Sequence, residues 1–369
     1  MKAIQWIISA LVAVVIIAAA VGGGVYFIRL KSIHSIRKLT DYENYNLYRM
    51  DIDYAYDLDR LIDRGITDNQ SMINAILAEA LPYLPIHMKA PNFGCSAFCT
   101  QGTDGHTLMG RNYDFKNDTS AMLVYCTPKD GYASVAFAAL DNINANTPDA
   151  SMAKKLATLT APFICLDGMN EKGVSIAVLT LDSDPTYQQT GKPMIATTLA
   201  IRLVLDRAAT TAEAVELLSK YDMFASSGRD YHFYITDASG DGRVLEYDCN
   251  DPARPLTATP SRSVTNFFVM YKDNVLPNQR NGVYGHGRER YDAIEEILDA
   301  NAGSIDREIA WQALQAASQA PNPQDVTSNT QWSILYDNTA LTAEAVIRRD
   351  WNTKTSYNLV SNVAVTDVG

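Results

Sequence analysis

The spacing of apolar residues changes at position 95, and this change limits the folds that the chain can adopt. Between residues 40 and 90, apolar side chains recur at helical spacing over 54–62 and 72–81, until prolines follow at positions 82, 85 and 91. After Cys95, short β-type runs alternate with helical segments. Strands, then helices, then strands again predict an α+β fold of packed layers rather than repeated strand–helix–strand units.

The elements after Cys95 can be placed individually. Strands are predicted at 122–126, 134–138, 174–181, 231–236, 243–247, 265–269, 332–337 and 343–347. Helices are predicted over 195–208, 214–221, 288–301 and 305–318, and Thr210 with Glu213 forms a capping-box pattern before the second of them. Asp104-Gly105 and Asp167-Gly168 are turn signals.

Residues 4–30 form an almost wholly apolar segment that carries no charge before Arg29. About 20 apolar residues suffice for a helix to cross a bilayer, and this run is longer than the core of a signal peptide. We therefore predict a membrane anchor within residues 1–30, with a signal peptide cleaved near Ala18-Ala19-Ala20 as the alternative. Positive residues lie mostly after the segment, which by the positive-inside rule favours a cytoplasmic body. The Met-Lys start is instead typical of export signals, and we expect an extracytoplasmic catalytic domain.

The chain of 369 residues has a net charge of -11 and a pI of about 4.9. The acidic balance and the lack of a basic stripe exclude a nucleic acid as the expected partner. The five cysteines have irregular spacings without a second ligand pair, so we expect no metal site. No phosphate-binding glycine motif is present, and no cofactor is expected.

A candidate nucleophilic site lies in Gly94-Cys95-Ser96 and in the Arg111 to Asp114 segment that follows it. A turn at Asp104-Gly105 would make the two segments a hairpin and bring Arg111 and Asp114 near Cys95. A cation can hold a thiolate, and a carboxylate can orient the group that takes its proton.

Other interpretations of these residues remain open. Cys95 can be a buried, inert core residue, and Arg111 with Asp114 can be a surface ion pair. A papain-like pair requires a histidine, and His106, His232 and His286 have no sequence context that distinguishes one of them.

Several motifs resemble the choloylglycine hydrolase group of linear amide C–N hydrolases, which are N-terminal-nucleophile (Ntn) hydrolases and include bile salt hydrolases and penicillin V acylases. The resemblance spans residues 90 to 360. It rests on Gly94-Cys95-Ser96, Gly110-Arg111-Asn112-Tyr113-Asp114-Phe115, Asp167-Gly168-Met169-Asn170-Glu171-Lys172-Gly173, Val264-Thr265-Asn266 and Gln331-Trp332-Ser333-Ile334-Leu335-Tyr336-Asp337.

The resemblance implies an αββα four-layer sandwich and a nucleophile that becomes the first residue of the mature chain, so that its own α-amine serves as the base. Cys95 would be this nucleophile, Arg111 would steady the thiolate, and Asp114 would hold the amine. Asn266 would donate a hydrogen bond to the oxyanion. Arg288 would be a further catalytic or structural arginine, with Arg290 as the alternative.

The sequence departs from the family pattern at two places. Thr180 stands where bile salt hydrolases have an asparagine, and a role for it at the oxyanion is an expectation. Cys95 follows 94 residues rather than an initiator methionine, so the mechanism requires cleavage of Gly94–Cys95. Tyr113 and Phe115 are candidates for an apolar acyl pocket or for packing between the layers.

These expectations combine into one organisation of the chain. Residues 1–30 form an anchor, 31–94 a helical pro-segment or small-subunit region, and 95–369 the amidase domain. The expected substrate is a small linear amide, either an N-acyl amino acid or an amine conjugate. An acyltransferase that uses the same thioester, and an inactive membrane-tethered binding protein on this scaffold, are the alternatives.

Overall fold

The computed structural model describes residues 23–82, 94–115, 118–280, 282–322 and 329–368. The α-helices are α1 (residues 23–34), α2 (Leu58–Asp63), α3 (Asn69–Ala80), α4 (Met152–Ala157), α5 (Thr197–Arg207), α6 (Thr211–Leu218), α7 (Arg288–Ala300) and α8 (Arg307–Ala317). Short 3-10 helices lie at Leu140–Ile143, Pro148–Ala150, Thr158–Phe163, Ser226–Gly228 and Val269–Asn274.

The strands are β1 (Arg37–Lys38), β2 (Leu47–Ile52), β3 (Gly94–Gln101), β4 (Thr107–Asp114), β5 (Ala121–Cys126), β6 (Ser134–Ala139), β7 (Cys165–Asn170), β8 (Ser175–Leu181), β9 (Met194–Ala196), β10 (Asp222–Phe224), β11 (Asp230–Thr236), β12 (Gly242–Tyr247), β13 (Leu256–Pro260), β14 (Ser263–Val264), β15 (Asn266–Phe267), β16 (Gly285–His286), β17 (Thr330–Asp337), β18 (Thr342–Ile347), β19 (Thr353–Asn358) and β20 (Val363–Val368).

Two large sheets hold most of these strands. A nine-stranded sheet has the order β1-β2-β5-β6-β7-β8-β11-β12-β13, and a seven-stranded sheet has the order β14-β3-β4-β17-β18-β19-β20. Neighbouring strands run antiparallel in both sheets, except that β2 runs parallel to β5. Two-stranded ladders join β9 to β10 and β15 to β16.

The large sheets pack face to face and carry helices on their outer faces. Arg111 of β4 reaches Asp167 of β7 across the interface between the sheets. Helix α5 covers the outer face of the nine-stranded sheet, where Asn170 donates to the Leu205 carbonyl at 3.1 Å. Helices α7 and α8 cover the other sheet through a separate apolar cluster that includes Phe98, Leu108, Ile294, Leu298, Trp311, Leu314 and Leu335. The predicted fold of packed helix and sheet layers is therefore confirmed as a mixed α and β structure, with layers in the order helix, sheet, sheet, helix.

The region before Cys95 is not wholly helical as predicted. Helices α2 and α3 do occur where Leu58, Leu61, Met72 and Ile76 supply a buried apolar face. However, β2 is a strand inside the nine-stranded sheet, between β1 and β5. Its pairing partner β5 lies about seventy residues later in the chain, so the local apolar spacing from which helix was predicted carried no information about this contact.

The predicted membrane segment, residues 4–30, lies mostly outside the described residues, which begin at position 23. The described part belongs to α1, where Arg29 donates from Nε to the Ala80 carbonyl and from Nη2 to the Glu79 carbonyl, both at 2.7 Å. Arg29 thereby satisfies carbonyl groups at the end of α3. Among the described helices, none has both the length and the apolar character that crossing a bilayer demands.

Two local predictions, the hairpin turn before β4 and the cap of α6, agree with the structure. The hairpin turn at Asp104-Gly105 is confirmed, because Gly105 has a φ of +81° and the Gly102 N–H donates to the His106 carbonyl at 2.8 Å. The predicted cap of α6 is also confirmed, since the Thr210 hydroxyl accepts from the Glu213 N–H.

The predicted turn at Asp167-Gly168 is wrong, because both residues lie within β7. Gly168 faces α5, and a Cβ there would lie 2.7 Å from the Val135 carbonyl oxygen and 2.8 Å from Leu205 Cδ1. The glycine therefore permits a close approach of the helix to the sheet, which the sequence alone does not distinguish from a turn.

The predicted strand at 265–269 is also shorter than expected, because only β15 pairs there and a 3-10 helix begins at Val269. The Glu246 carboxylate accepts the backbone N–H of Val269 at 2.7 Å and that of Met270 at 3.0 Å. These donors are therefore satisfied by a side chain instead of a neighbouring strand.

Candidate active site

The β3–β4 hairpin positions the thiol of Cys95 and three further predicted site residues, Arg111, Tyr113 and Asp114. In this ladder Cys95 lies opposite Tyr113, Ala97 lies opposite Arg111, and Gly94 lies opposite Asp114. Side chains two residues apart along a strand share a face, so Cys95 and Arg111 both point toward the other large sheet. The structure thus brings Cys95, Arg111 and Asp114 together as the spacing of the motifs predicts.

The Cys95 thiol is fully buried and lies beside a cation. Burial raises the pKa of the thiol to about 11, although the Arg111 charge and a hydrogen bond from Arg111 act in the opposite direction. The Asp114 charge adds to the increase, whereas the Asp114 backbone donates to the sulfur. In the intact chain the thiol is therefore protonated at neutral pH, and a reaction at sulfur needs a proton acceptor.

Arg111 is held by groups from both sheets. Its Nη1 donates to the Asn112 carbonyl at 2.7 Å, and its Nη2 donates to the Val178 carbonyl of β8 at 2.9 Å. Its Nε faces Asp167 Oδ2 at 3.3 Å. These contacts fix the planar guanidinium group, so the cation next to Cys95 is rigidly placed.

Asp167 is a site residue that the sequence did not identify as one. Besides Arg111, its carboxylate accepts from Trp332 Nε1 at 3.0 Å and from the Tyr336 hydroxyl at 2.6 Å. Burial raises the pKa of Asp167, and the Arg111 charge opposes this shift. The three donors come from motifs that carried the family resemblance, but their convergence on one carboxylate requires the packing of the two sheets.

Asn266 holds the backbone nitrogen of Cys95. Its Oδ1 accepts from the Cys95 N–H at 2.9 Å and from Arg290 Nη2 at 2.7 Å. Because both of these partners are donors, the oxygen of the amide must face them. Its Nδ2 donates to the Thr180 carbonyl at 2.9 Å and lies 3.1 Å from Thr180 Oγ1.

The structure therefore places Asn266 and Thr180 at the site, in direct contact. In the intact chain the amide hydrogens of Asn266 are directed at Thr180, so donation from Asn266 to an oxyanion stays a prediction. The same holds for an oxyanion role of Thr180, whose side chain is buried within this cluster.

The structure brings Arg290, and not Arg288, to Cys95. Arg290 Nη1 donates to the Cys95 carbonyl at 2.7 Å and lies 3.6 Å from Asp114 Oδ2. Arg288 instead pairs with Asp292 on the partly exposed side of α7 and donates to the Lys272 carbonyl. Residues two apart on a helix project about 200° apart, so only one of the two arginines can face the site.

A glycine makes room for this arginine at the start of α7. Gly287 has a φ of +85°, and a Cβ at this position would lie 2.4 Å from Arg290 Nη2. The positive φ and the close contact both favour glycine, so Gly287 lets the arginine side chain fold back over the N-terminus of α7 toward Cys95.

Asp114 is held by two residues that the sequence analysis did not identify. Gln319 Nε2 donates to Asp114 Oδ2, and the Thr330 hydroxyl donates to Oδ1, each at 2.6 Å. Burial raises the pKa of Asp114, and the Arg290 charge is the main opposing influence. Thr330 immediately precedes one of the family motifs, but Gln319 follows α8 without a local signal.

Tyr113 and Phe115 lie in the interior beside Cys95. The Tyr113 ring stacks on Trp332 with centroids 4.0 Å apart, and the Phe115 ring centroid is 6.2 Å from that of Tyr113. Both residues pack between the layers, and contact with a substrate stays a prediction. Among the described residues, no group of three or more His, Cys, Asp or Glu side chains is arranged to hold a metal ion.

The arrangement predicts different effects of substituting the two arginines at the start of α7. Arg290→Ala leaves the Asp114 carboxylate and the Asn266 amide oxygen without their buried cation, and we expect a loss of about 3–5 kcal/mol in the free energy of unfolding. Arg288→Ala removes a partly exposed ion pair, and we expect a loss of about 0.5 kcal/mol or less. Urea unfolding followed by tryptophan fluorescence, in a Cys95→Ala background, measures both. Equal losses for the two variants would contradict the placement of Arg290.

Comparison with known proteins indicates the same family as the sequence motifs. Residues 95–251 match the sequence model of the linear amide C–N hydrolases, choloylglycine hydrolase family. A variant of the conjugated bile acid hydrolase from Clostridium perfringens has a similar structure, with a TM-score of 0.54 and 16% identity over 74% of this chain and 97% of that chain. Penicillin V acylase from Agrobacterium tumefaciens gives a TM-score of 0.50 and 18% identity over 71% of this chain and 85% of that chain. The structures share the fold, and the family resemblance seen in the sequence is confirmed by residues 95–251, which match the choloylglycine hydrolase family of linear amide C–N hydrolases.

Proposed function

We propose that this protein is a cysteine N-terminal-nucleophile hydrolase that cuts itself at Gly94–Cys95 and then hydrolyses a linear amide. The observation that carries the proposal is the set of contacts around Cys95. Arg111 hydrogen-bonds the thiol, Asn266 holds the backbone N–H, and Arg290 holds the carbonyl oxygen. The sulfur, the backbone nitrogen and the carbonyl oxygen of Cys95 are thus all held in place, as is required of a nucleophile whose own α-amine is the base.

Self-cleavage would begin with attack of Cys95 Sγ on the Gly94 carbonyl carbon. The C–N bond of Gly94–Cys95 breaks, the acyl group moves to sulfur, and the nitrogen gains a proton to become the α-amine. Water then hydrolyses the thioester. Because Asn266 Oδ1 lies 2.9 Å from this nitrogen before the cut, the amine would form already positioned.

In the mature enzyme the α-amine would take the proton from the Cys95 thiol. The thiolate attacks the substrate carbonyl, and the amine product leaves with a proton returned by the same α-amine. An α-amine has a pKa of about 8, so it accepts a proton near neutral pH without special tuning. The family match and the names of the two similar structures support a small amide substrate, and we infer an N-acyl amino acid or an amine conjugate.

We expect the wild-type protein to yield a chain that begins at Cys95, and Cys95→Ala to remain whole because it lacks the attacking sulfur. N-terminal sequencing and intact-mass analysis of the purified proteins measure the outcome. Cys99→Ala is the matched control, since it removes another buried cysteine of β3, and this variant should be cleaved. If the wild type stays whole, the amine-base mechanism fails and a binding protein on an inactive scaffold becomes the better description.

The raised pKa of Cys95 predicts the pH dependence of self-cleavage. With the thiol pKa at about 11 in the intact chain, the thiolate fraction rises as pH rises toward that value. Below it, the first-order rate of cleavage should increase about tenfold per pH unit. The amidase reaction of the mature enzyme should instead level off near the α-amine pKa of about 8. Refolding the denatured precursor at each pH and timing its disappearance on gels measures the first rate; a plateau at neutral pH would contradict the prediction.

We further propose that residues 31–82 remain bound after the cut as a small subunit. Strand β2 contributes a buried interior strand to the nine-stranded sheet, so its removal would expose the edge of β5. Leu47, Met50, Leu61 and Ile76 are buried in the main apolar core that also holds Cys95. Burial of each such side chain contributes about 1.5–3 kcal/mol, which favours retention.

Polar contacts link the same segment to distant parts of the chain. The Tyr54 hydroxyl donates to the Leu159 carbonyl at 2.6 Å, and the Asn46 N–H donates to Ser120 Oγ at 3.0 Å. The Thr366 hydroxyl donates to the Leu39 carbonyl at 2.9 Å. The segment is therefore bound by the nine-stranded sheet, the 3-10 helix at Thr158–Phe163 and the last strand of the other sheet.

We expect the two cleaved chains to co-elute in native size-exclusion chromatography and to separate only in denaturant. A matched pair of variants tests the cause. Met50→Asp places a charge in the buried core and should release the small chain, whereas Asp53→Asn, at an exposed position just after β2, should not. Elution of the wild-type Cys95 chain without the small chain would contradict retention.

The membrane anchor predicted for residues 1–30 bears on where the reaction would take place. If the anchor and the small subunit are both retained, the catalytic chain would stay at the membrane surface through its contacts with residues 31–82, and we propose an extracytoplasmic position for it. The acyltransferase alternative differs only in which acceptor reaches the thioester, and product analysis with added amines distinguishes it from hydrolysis.

A further inference from the structure

A second set of titratable side chains lies next to the Cys95 cluster. His286 of β16 pairs through Nδ1 with Asp182 Oδ2 at 2.7 Å. The other carboxylate oxygen of Asp182 lies 3.7 Å from Arg229 Nη1. Asp182 follows the end of β8, two residues beyond Thr180, and it therefore links this set to the strand that contacts Asn266.

The ladder between β15 and β16 fixes the position of His286 relative to Cys95. His286 lies directly opposite Asn266, and opposed residues of antiparallel strands share a face with Cβ atoms about 5 Å apart. Both side chains reach toward β8 and its end, Asn266 to Thr180 and His286 to Asp182. Asn266 in turn contacts the Cys95 N–H, so the imidazole lies one side chain away from the nucleophile.

The two ring nitrogens of His286 have different surroundings. A carboxylate at Nδ1 fixes the proton of the neutral imidazole on that nitrogen and leaves Nε2 as a proton acceptor. Nε2 is buried, and among the described residues no group hydrogen-bonds it. A buried polar atom without a partner is unfavourable, and a bound polar molecule that supplied a hydrogen bond would remove this cost.

His232 does not offer a comparable nitrogen, although it also lies near Asn266. Its Nδ1 faces Glu246 Oε1 at 3.0 Å and its Nε2 faces the Thr265 carbonyl at 2.9 Å. Both nitrogens are therefore engaged by the protein. His106 pairs with Asp337 at 2.8 Å as His286 pairs with Asp182, but it lies at the opposite end of the β3–β4 hairpin from Cys95.

We propose that His286 is a catalytic residue that takes the proton from the water molecule which hydrolyses the acyl-enzyme on Cys95, with Asp182 and Arg229 as positioning residues. The proposal rests on the proposed function and adds a second base to it. The water O–H proton passes to His286 Nε2 while the oxygen attacks the thioester carbon. The C–S bond then breaks, the carboxylic acid leaves, and the proton on His286 returns to the Cys95 sulfur through a second water molecule.

The geometry favours this role over activation of the thiol itself. Arg111 and Asp114 are the charged groups that act on the Cys95 thiol, and Asn266 separates His286 from the cysteine. The proposed proton transfer therefore runs through one water molecule, which is a reach that general-base catalysis allows. The pair would act only after a thioester has formed.

The test compares mature His286→Gln with wild type and with His106→Gln, the matched control for a histidine–aspartate pair far from Cys95. The probe is p-nitrophenyl hexanoate, which releases p-nitrophenol as it acylates the cysteine. Stopped-flow absorbance gives the burst and the steady-state rate of p-nitrophenol release. Intact-mass analysis follows the acyl group on the chain that begins at Cys95. Asp182→Asn serves as a second variant, and self-cleavage with circular dichroism reports folding.

We expect His286→Gln to keep the burst, to accumulate the acyl-enzyme and to lose deacylation rate by about 100-fold or more, while His106→Gln behaves as wild type. Asp182→Asn should slow the same step. A wild-type deacylation rate in His286→Gln, or in Asp182→Asn should the first variant not fold, overturns the role of His286 and leaves the cysteine mechanism standing. The absence of both burst and adduct in the wild type overturns the proposed function and this inference with it.

Discussion

The ion pair between Arg111 and Asp167 joins the two large sheets behind Cys95, and the geometry of the site depends on it. Both groups are fully buried, so each loses several kcal/mol of hydration free energy, in order-of-magnitude terms, on leaving water. The loss is offset only when every polar atom has a partner. Trp332 and Tyr336 complete the shell of Asp167, and the Val178 and Asn112 carbonyls complete that of Arg111. The cation beside the thiol is thus set by the spacing of the sheets.

A second buried ion pair, between Arg290 and Asp114, lies on the other side of Cys95. Arg290 lies among the Cys95 carbonyl, the Asn266 amide oxygen and the Asp114 carboxylate. The two arginines and two aspartates around Cys95 balance in charge, so the low-dielectric interior holds no large net charge before any reaction. The thiol remains neutral in this setting because burial outweighs the effect of Arg111. The intact chain therefore presents an assembled but protonated nucleophile.

The sequence predicted the parts of this site that are close in the chain. The Asp104-Gly105 turn and the register of two short strands are local properties, and they place Arg111 and Asp114 beside Cys95. The choice between Arg288 and Arg290 depends on the rotation of α7 relative to a sheet that it meets only in the folded protein. The role of Asp167 could not be predicted for a similar reason, since an Asp-Gly pair in a buried strand and an Asp-Gly pair in a turn look the same in the sequence.

The elements before Cys95 also show what a single sequence cannot predict. Residues 47–52 carry no strong strand signal, and their parallel pairing with β5 arises from a contact between segments far apart in sequence. Gln319 has no local signal at all, yet it donates to Asp114 at 2.6 Å because α8 ends above the β3–β4 hairpin. Such residues are set by tertiary packing, which a single sequence does not display.

The position of β2 inside the nine-stranded sheet has a consequence for the lifetime of the protein. An intact chain keeps β2 tethered to β5 in the unfolded state, so the strand can find its partner again at any protein concentration. A cut before Cys95 would remove that tether, and refolding would become a bimolecular event between two exposed apolar chains. Unfolding would then be effectively irreversible. The lifetime of the folded enzyme would be governed by the height of its unfolding barrier rather than by an equilibrium.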